Sequence, residues 1–192
     1  HVGQRENGDI YNGADDNASG TTGLLAIAEA LTEYGPMKRT VLLMWVSAEE
    51  KGLLGSRAWT LDPWLPEGMK PFCNLNIDMI GRNAPDEIGI TPTASHPEYN
   101  QLTKMVEEHC GKEGFTKLNN ADAYWSRSDH ANFAKNLKIP VAFLFSDVHE
   151  DYHKPTDTPD KIDCDKLSRV SRLVMRLLDG LQASNLDLRI VD

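Results

Sequence analysis

The chain has 192 residues, of which 40% are hydrophobic and 26% charged, and 20 Lys plus Arg against 29 Asp plus Glu give a formal net charge of −9. This size suits one domain with a sizeable core, and an acidic chain without a basic cluster argues against nucleic acid as a partner. No apolar run approaches the length of a membrane span, and three widely spaced cysteines form neither a CxxC zinc motif nor a disulfide framework, so we expect no membrane partner either.

Strand and helix patterns alternate along the first half of the chain. Residues 19–34 predict a helix that Gly35 and Pro36 end, and the run "RTVLLMWVSA" that follows predicts a strand buried on both faces. The next segment, "EEKGLLGSRAW", is predicted to enter a helix, and "FCNLNIDMIG" and "DEIGIT" predict two further strands. The apolar residues on the core face of the first helix are predicted to be Leu24, Leu25, Ala28 and Leu31.

The alternation continues to the end of the chain. "HPEYNQLTKMVEEHCGKEG" predicts an amphipathic helix, "SDHANFAKNL" a short helix capped by Ser128 or Asp129, and "IPVAFLFS" a buried strand. A long helix in "DCDKLSRVSRLVMRLLDGLQ" closes the chain. Its core face carries Leu167, Val170, Leu173, Val174 and Leu177. Alternating elements predict one α/β domain over residues 1–192, a three-layer sandwich with a mixed, mostly parallel central sheet flanked by helices.

Acidic residues directly follow three of the predicted strands. They stand in "LLMWVSAEE", "NLNIDM" and "VAFLFSDVHEDYH". In open α/β sheets, ligands bind beyond the carboxyl ends of the strands. The three acidic clusters therefore predict a shared crevice.

Each acidic motif has an ordinary interpretation beside a chemical one. In "NGADDNASG", Asp15 and Asp16 suit capping of the following helix, and this stretch alone favours that interpretation. Glu49 and Glu50 suit a solvated loop edge, or a pair in which one carboxylate binds a metal and the other takes a proton from water. Asp78 stands in an apolar strand, where a carboxylate is costly to bury without a cation; that cation would be an Arg, with Arg82 as the candidate, a Lys or a metal.

Five motifs together carry a family resemblance. "NGADDNASG", "SAEEKGLLGS", "NLNIDMIGR", "RSDHANFA" and "YHKPTDT" occur in the order and spacing of the co-catalytic zinc aminopeptidases of peptidase clan MH, which the chain resembles from its start to its final helix. That superfamily also holds glutaminyl cyclases, glutamate carboxypeptidases and the transferrin receptor ectodomain. The resemblance implies a zinc exopeptidase fold, a peptide substrate with a free N-terminus, and a secreted or periplasmic location.

The resemblance also implies a role for each matching residue. Asp16 would bridge two metals, and Glu49 would be the general base. Glu50 would bind one zinc and Asp78 the other. His153 would complete the zinc site of Glu50. Of the adjacent pair Asp15 and Asp16, the second residue would therefore bind metal.

Further residues near these motifs have less settled roles. Tyr124 is predicted either to stabilise the oxyanion of a tetrahedral intermediate or to lie on the rim. Asp129 and His130 would orient ligands, although helix capping explains Asp129 equally well. Arg127 would bind a substrate carboxylate or carbonyl, or neutralise the acidic site. The resemblance also implies a cis peptide after Asp16.

One part of the family pattern does not appear. The pattern includes an upstream His-x-Asp, and "HVG" at the start of this chain resembles only the tail of that segment. We therefore expect an N-terminally truncated domain with one tight zinc, an incomplete second site at Asp78 unless His1 substitutes, and an open sheet edge that supports a homodimer. The alternatives are a single-zinc transferase of the glutaminyl cyclase type and a binding module without activity; a retained Glu49 argues against the latter.

Overall fold

A mixed four-stranded sheet lies at the centre of the computed structural model, which describes residues 2–183 and 185–189. In chain order the strands are β1 (Gly3–Gln4), β2 (Ile10–Tyr11), β3 (Asn74–Ile77), β4 (Glu87–Thr91), β5 (Lys117–Asn120) and β6 (Val141–Phe145). Strands β1 and β2 form a separate antiparallel pair, and the sheet has the order β3-β6-β4-β5. Its β3–β6 and β4–β5 pairs are parallel and its β4–β6 pair is antiparallel, which confirms the mixed, mostly parallel sheet.

Helices cover both faces of this sheet. They are α1 (Gly20–Tyr34), α2 (Leu54–Leu61), α3 (Gln101–Cys110), α4 (His130–Asn132) and α5 (Cys164–Gly180). Alternate residues of β6 enter two separate clusters: Ala142 and Leu144 pack with residues of α1, α3 and α5, whereas Phe143 and Phe145 face the opposite side. The predicted α/β architecture is confirmed. No helix in the described part of the chain is both long and apolar enough to cross a membrane.

Helix α5 follows its predicted pattern closely. The side chain of Asp163 accepts a hydrogen bond from the backbone N–H of Lys166, which satisfies one of the free donors at the helix start. All five predicted core residues are buried: Leu167, Val170, Leu173, Val174 and Leu177. The period of the apolar residues therefore determined the buried face of this helix.

The buried face of α1 differs from the prediction. Leu25 is 56% exposed, whereas Ile27 is 1% exposed and Gly23 is buried. A Cβ atom on Gly23 would lie 3.0 Å from Cδ1 of Ile80 and 3.4 Å from the hydroxyl of Ser171 in α5. Helices α1 and α5 thus approach each other closely at Gly23. The buried face of α1 centres on Gly23 and Ile27, and Leu25 lies outside it.

The strand predicted for residues 39–48 does not form. The segment makes no sheet hydrogen bonds with any described strand, and a cleft of about 580 Å³ separates it from β3. Leu42 and Met44 line one side of this cleft, and Leu75 and Ile77 line the other. Strand pairing needs neighbouring backbones about 4.8 Å apart. The backbones of residues 39–48 and β3 lie on opposite sides of the cleft, so they do not pair.

Three smaller differences concern the ends of elements. Helix α3 begins at Gln101, later than predicted, because the Asn100 side chain accepts hydrogen bonds from the backbone N–H groups of Leu102 and Thr103 and caps the helix there. Strand β5 has the polar sequence KLNN and was not predicted; it forms by pairing with β4. The β1–β2 pair was also not predicted.

Gly20, the first residue of α1, has no room for a side chain. A Cβ atom there would lie 2.4 Å from Oδ1 of Asn17 and 2.6 Å from the carbonyl oxygen of Ile77. We expect Gly20→Ala to lower the free energy of unfolding by about 1–3 kcal/mol, the usual effect of overpacking. Urea unfolding will measure it. Gly111→Ala is the control, since a Cβ there meets nothing within 4 Å; equal effects of the two substitutions would contradict the close packing at Gly20.

Candidate metal centre and active site

Three side chains that the sequence assigned to one metal lie together in the structure. Nε2 of His153 is 3.1 Å from Oδ2 of Asp16 and 3.1 Å from Oε2 of Glu50. One ligand atom from each of the three residues falls within 4.8 Å of the others, the only such group of His, Cys, Asp and Glu among the described residues. Ligand atoms of a tetrahedral zinc with bonds of about 2.0–2.2 Å stand about 3.3–3.6 Å apart. The residues therefore fit a zinc ion.

Three different loops supply these side chains. Asp16 lies in the turn Ala14–Ser19 that precedes α1, and its peptide bond to Asn17 is cis, as the resemblance implied. Glu50 lies in the short turn Glu49–Lys51 after the extended segment 39–48, and His153 lies in the loop after β6. The predicted crevice beyond the strand ends is thus where the acidic clusters meet.

The carboxylates of this crevice repel one another. Burial, followed by the charge of Glu50, raises the pKa of Asp16 to about 7. Burial, followed by the charge of Asp78, raises the pKa of Glu49 to about 8, and burial, followed by the charge of Asp16, raises that of Asp78 to about 7. An added cation would favour the ionised form of each group. The electrostatics therefore fit a metal as well as the distances do.

These raised pKa values predict a pH dependence for the metal-free protein. Near pH 7 the folded state holds most of a proton on Glu49 and about half a proton on each of Asp16 and Asp78, whereas the unfolded chain has already lost all three. The free energy of unfolding therefore falls as pH rises, by up to about 1.4 kcal/mol per pH unit for each group, and the fall diminishes towards pH 8 as these groups ionise. Near pH 7, His130, whose pKa burial lowers to about 3, is largely neutral in both states, and Lys166, whose pKa burial lowers to about 8, is largely protonated in both. Urea unfolding in the presence of a chelator measures the slope. Glu49→Gln should make it shallower, and a flat or rising profile would contradict the raised pKa values.

Asp78 lies beside this group with half of its carboxylate uncompensated. Its Oδ2 accepts a hydrogen bond of 2.7 Å from the Ser128 hydroxyl, while Oδ1 is buried and has no hydrogen-bond partner within residues 2–183 and 185–189. Arg82, the proposed cationic partner, instead pairs with Asp151 at 2.8 Å, so that interpretation was wrong. Asp78 lines the same cleft as Asp16 and Glu49. A role for His1 at this position lies outside the described residues.

Glu49 faces the cleft without joining the three-residue group. It lines the large cleft and also a small adjoining cavity of about 30 Å³. Both glutamates of this turn line the cleft, but only Glu50 belongs to the metal group, and Glu49 alone also lines the small cavity. A role for Glu49 as a proton acceptor rests on this separation.

Two tyrosines line the small cavity beside Glu49. The hydroxyl of Tyr124, the residue that the sequence proposed for the oxyanion, donates a hydrogen bond of 3.1 Å to Oδ1 of Asp147 and is therefore engaged elsewhere. Tyr152 stacks on the ring of His153 with 3.9 Å between centroids, and burial, then the charge of Asp16, raises its pKa to about 12. Sequence reasoning missed Tyr152, although it precedes His153 in the "YHKPTDT" motif.

Hydrogen bonds tie the Asp15–Ser19 turn to the end of β3. Oδ1 of Asp15 accepts from the backbone N–H of Gly81 at 2.7 Å, and Oδ1 of Asn17 accepts from the N–H of Met79 at 3.1 Å. The Ser19 hydroxyl donates to the carbonyl of Asp15. Asp15, Asn17 and Ser19 therefore hold the loop, and neither aspartate caps α1 as the sequence alone had suggested.

Two residues behind this turn were also missed. Asp157 accepts hydrogen bonds from the backbone of the turn, and Nε2 of His149 lies 3.2 Å from Oδ2 of Asp15. Asp157 could have been noticed because it belongs to the "YHKPTDT" motif. His149 carries no comparable signal, since an isolated histidine in a loop is usually solvated.

The residues of the "RSDHANFA" motif take different positions. His130 is fully buried between Trp125 and Phe143 and is not part of the metal group. Asp129 stands at the N-cap position of α4 but makes no capping hydrogen bond, so the capping interpretation was wrong. It lines the cleft instead. The Arg127 guanidinium lies 5.7 Å from the centre of the Tyr124 ring, at the small cavity.

Curated proteins with similar sequences have aminopeptidase names. A protein of Arthroderma benhamiae with the name "Probable leucine aminopeptidase" is 31% identical over 175 residues, which cover 85% of this chain and 46% of that protein. A counterpart of the same name from Arthroderma otae is 32% identical over 188 residues, covering 91% and 49%. The chain therefore spans about half the length of these curated relatives.

Solved structures show the same fold. BSAP, a zinc aminopeptidase from Bacillus subtilis, matches with a TM-score of 0.73 and 25% identity over 91% of this chain and 44% of that one. Glutaminyl cyclase from Porphyromonas gingivalis matches with a TM-score of 0.65 and 24% identity over 90% and 64%, which indicates a shared fold. The family model described as Peptidase family M28 matches residues 1–178. Because this match covers nearly the whole chain, the protein belongs to peptidase family M28.

Proposed function

We propose that this chain is a zinc-dependent aminopeptidase that removes N-terminal residues from peptides with a free α-amine. The observation that carries the proposal is the convergence of Asp16, Glu50 and His153, with the carboxylate of Glu49 beside them and outside their group. The names of the curated relatives, leucine aminopeptidases, support the same activity.

Asp16, Glu50 and His153 would hold one tight zinc and leave a position open for water or substrate, the usual arrangement of a catalytic zinc. Zinc supplies two effects when bound: it lowers the pKa of water and polarises the carbonyl of the scissile bond. Asp78 lines the same cleft as Asp16, but the described residues offer no third ligand that would form a second metal group with these two. We therefore propose that any second ion binds weakly.

Glu49 is the proposed general base. Its carboxylate takes a proton from the attacking water and gives it to the nitrogen of the leaving amine. The neighbouring charges of Asp78 and Asp129 add to burial in raising its pKa in the metal-free state, so the carboxylate binds a proton readily. A base that releases its proton to the leaving group needs such an intermediate pKa.

A tyrosine hydroxyl would stabilise the developing oxyanion. Tyr124 was the candidate from the sequence, and its hydroxyl lies against Asp147. Tyr152 lines the small cavity together with Asp16 and Glu49, and its ring stacks on that of His153, so it lies next to the metal group. We propose Tyr152 as the donor and Tyr124 as a rim residue.

The acidic cleft also suits the α-ammonium group of the substrate. Oδ1 of Asp78 and Oδ1 of Asp129 are buried and accept no hydrogen bond within the described ranges. An ammonium group has three donors and a positive charge, so it would satisfy these oxygens and reduce their repulsion. An acetylated N-terminus has no charge and only one N–H donor.

The test compares leucine p-nitroanilide with its N-acetylated form, each in the presence of zinc or a chelator. We expect zinc-dependent release from the free substrate alone. A peptide with N-terminal glutamine then distinguishes aminopeptidase activity from glutaminyl cyclase activity. Release of free glutamine supports the aminopeptidase, whereas a pyroglutamyl product would support a cyclase. No turnover of either substrate by the zinc-loaded protein would favour a binding module.

A further inference from the structure

We propose that Asp157 is a positioning residue: its carboxylate holds the backbone of Asp15 and Asp16 so that the Asp16 side chain faces His153 and Glu50. The inference rests on the proposed function, because it assigns Asp157 to the same metal centre. Asp157 does not itself belong to the group of metal-binding atoms.

The contacts of Asp157 concentrate on the turn that carries Asp16. The backbone N–H of Asp15 donates to both carboxylate oxygens, at 3.1 and 3.0 Å, and the N–H of Asp16 donates to Oδ2 at 3.2 Å. The N–H of Ala14 donates to the backbone carbonyl of Asp157 at 3.3 Å. Three successive amides of the turn are therefore bound by one residue, in the manner of a backbone nest around an anion.

The position of Asp157 in the chain links two of the three ligands. Asp157 stands four residues after His153, and its N–H donates to the carbonyl of Lys154 at 3.2 Å. Asn12, just before the turn, donates to the carbonyl of Pro155 at 3.0 Å. The loop that presents His153 thus also fixes the turn that presents Asp16.

Burial makes these hydrogen bonds costly to lose. Asp157 is 0% exposed, and its nearest cation, Nη1 of Arg82, is 4.0 Å away. The amides therefore provide much of the compensation for a buried charge. The charge of Asp157 also raises the pKa of Asp16, so its position does not favour ionisation of that ligand. Orientation of the turn explains the arrangement better than charge does.

Two substitutions separate orientation from charge. Asp157→Asn removes the charge and turns an NH₂ group towards one of the backbone donors, whereas Asp157→Glu keeps the charge but moves the carboxylate by one methylene. Loss of an outer partner of a metal ligand usually costs about 10–100-fold in metal affinity. We expect that loss for both variants. Glu113→Gln is the control: this buried carboxylate pairs with Arg172 and Arg176, so its loss should lower stability without changing zinc affinity.

The measurement is a zinc titration of folded protein against a chelating dye, with the absorption of bound Co²⁺ as a second readout of ligand geometry. Wild-type zinc affinity in Asp157→Asn would overturn the proposal, and wild-type affinity in Asp157→Glu would assign the effect to charge and overturn it equally. If Asp157→Asn does not fold, the result for Asp157→Glu decides.

Failure of the proposed function is recognised separately. If the wild-type protein binds no zinc, amide hydrogen exchange at Asp15 and Asp16 still tests the hydrogen bonds of Asp157. Faster exchange at these two amides in Asp157→Asn, with Glu113→Gln unchanged there, supports the positioning role. Unchanged exchange overturns it.

Discussion

Replacing Glu49 by glutamine is expected to leave zinc affinity near that of the wild-type protein and to lower kcat by about 10²–10⁴-fold, the usual contribution of general acid–base catalysis. Glu49 lies outside the group formed by Asp16, Glu50 and His153, so its amide analogue removes no ligand. An amide of similar shape still fills the turn but cannot accept the proton of water. Zinc content and kcat, measured on the same preparation, test both halves of this prediction.

Glu50→Gln is the matched control for this experiment. It makes the same chemical change at the adjacent residue of the same turn, but it replaces an oxygen 3.1 Å from Nε2 of His153. Zinc affinity should fall, because a neutral amide is a poorer ligand than a carboxylate, and excess zinc should restore part of the activity. If Glu49→Gln loses zinc while Glu50→Gln retains it, the roles are reversed. If neither variant changes zinc content or rate, the pair is a solvated loop edge.

Asp16→Ala is expected to weaken zinc binding by more than about 100-fold, since loss of an outer partner alone usually costs about 10–100-fold. The same substitution should raise the stability of the metal-free protein at pH 8, because Asp16 is only 7% exposed and Glu50, Asp157 and Asp15 all oppose its ionisation. Opposite effects on zinc affinity and on apo stability are the signature of a ligand held under electrostatic repulsion.

Zinc titration and urea unfolding in a chelator measure the two effects of Asp16→Ala. Asp62→Ala makes the same change at an exposed aspartate beyond α2 and should leave both quantities near the wild-type values. A variant that loses apo stability as well as zinc affinity would indicate that Asp16 mainly supports the fold.

The sequence of a segment predicted its structure correctly where the surrounding elements favour the same conformation as the segment itself. The apolar period of α5 predicted its buried face, and the runs around β3, β4 and β6 predicted strands that the sheet contains. The family resemblance carried by five motifs, rather than local pattern, assigned Asp16, Glu50 and His153 to one metal, and these side chains lie together in the structure.

Local pattern failed where a distant neighbour decides. Residues 39–48 have the composition of a buried strand, but strand formation depends on a partner backbone, and a cleft lies beside them instead. Strand β5 is the opposite case. Its polar sequence predicts no strand, but it forms one because it pairs with β4. The buried face of α1 centres on Gly23, where α1 packs closely on α5, and leaves Leu25 outside it, which no property of α1 alone predicts. Tyr152 was missed for a similar reason, since only the folded loop places it against His153.

Anomalous diffraction at the zinc edge from crystals of the zinc-loaded protein tests the central claim most directly. We expect a zinc ion about 2.0–2.2 Å from a carboxylate oxygen of Asp16, a carboxylate oxygen of Glu50 and Nε2 of His153, with any second peak, between Asp16 and Asp78, at lower occupancy. A zinc-loaded crystal with no anomalous peak among these three side chains, or with zinc bound by other residues, would contradict the assignment of this site as the metal centre.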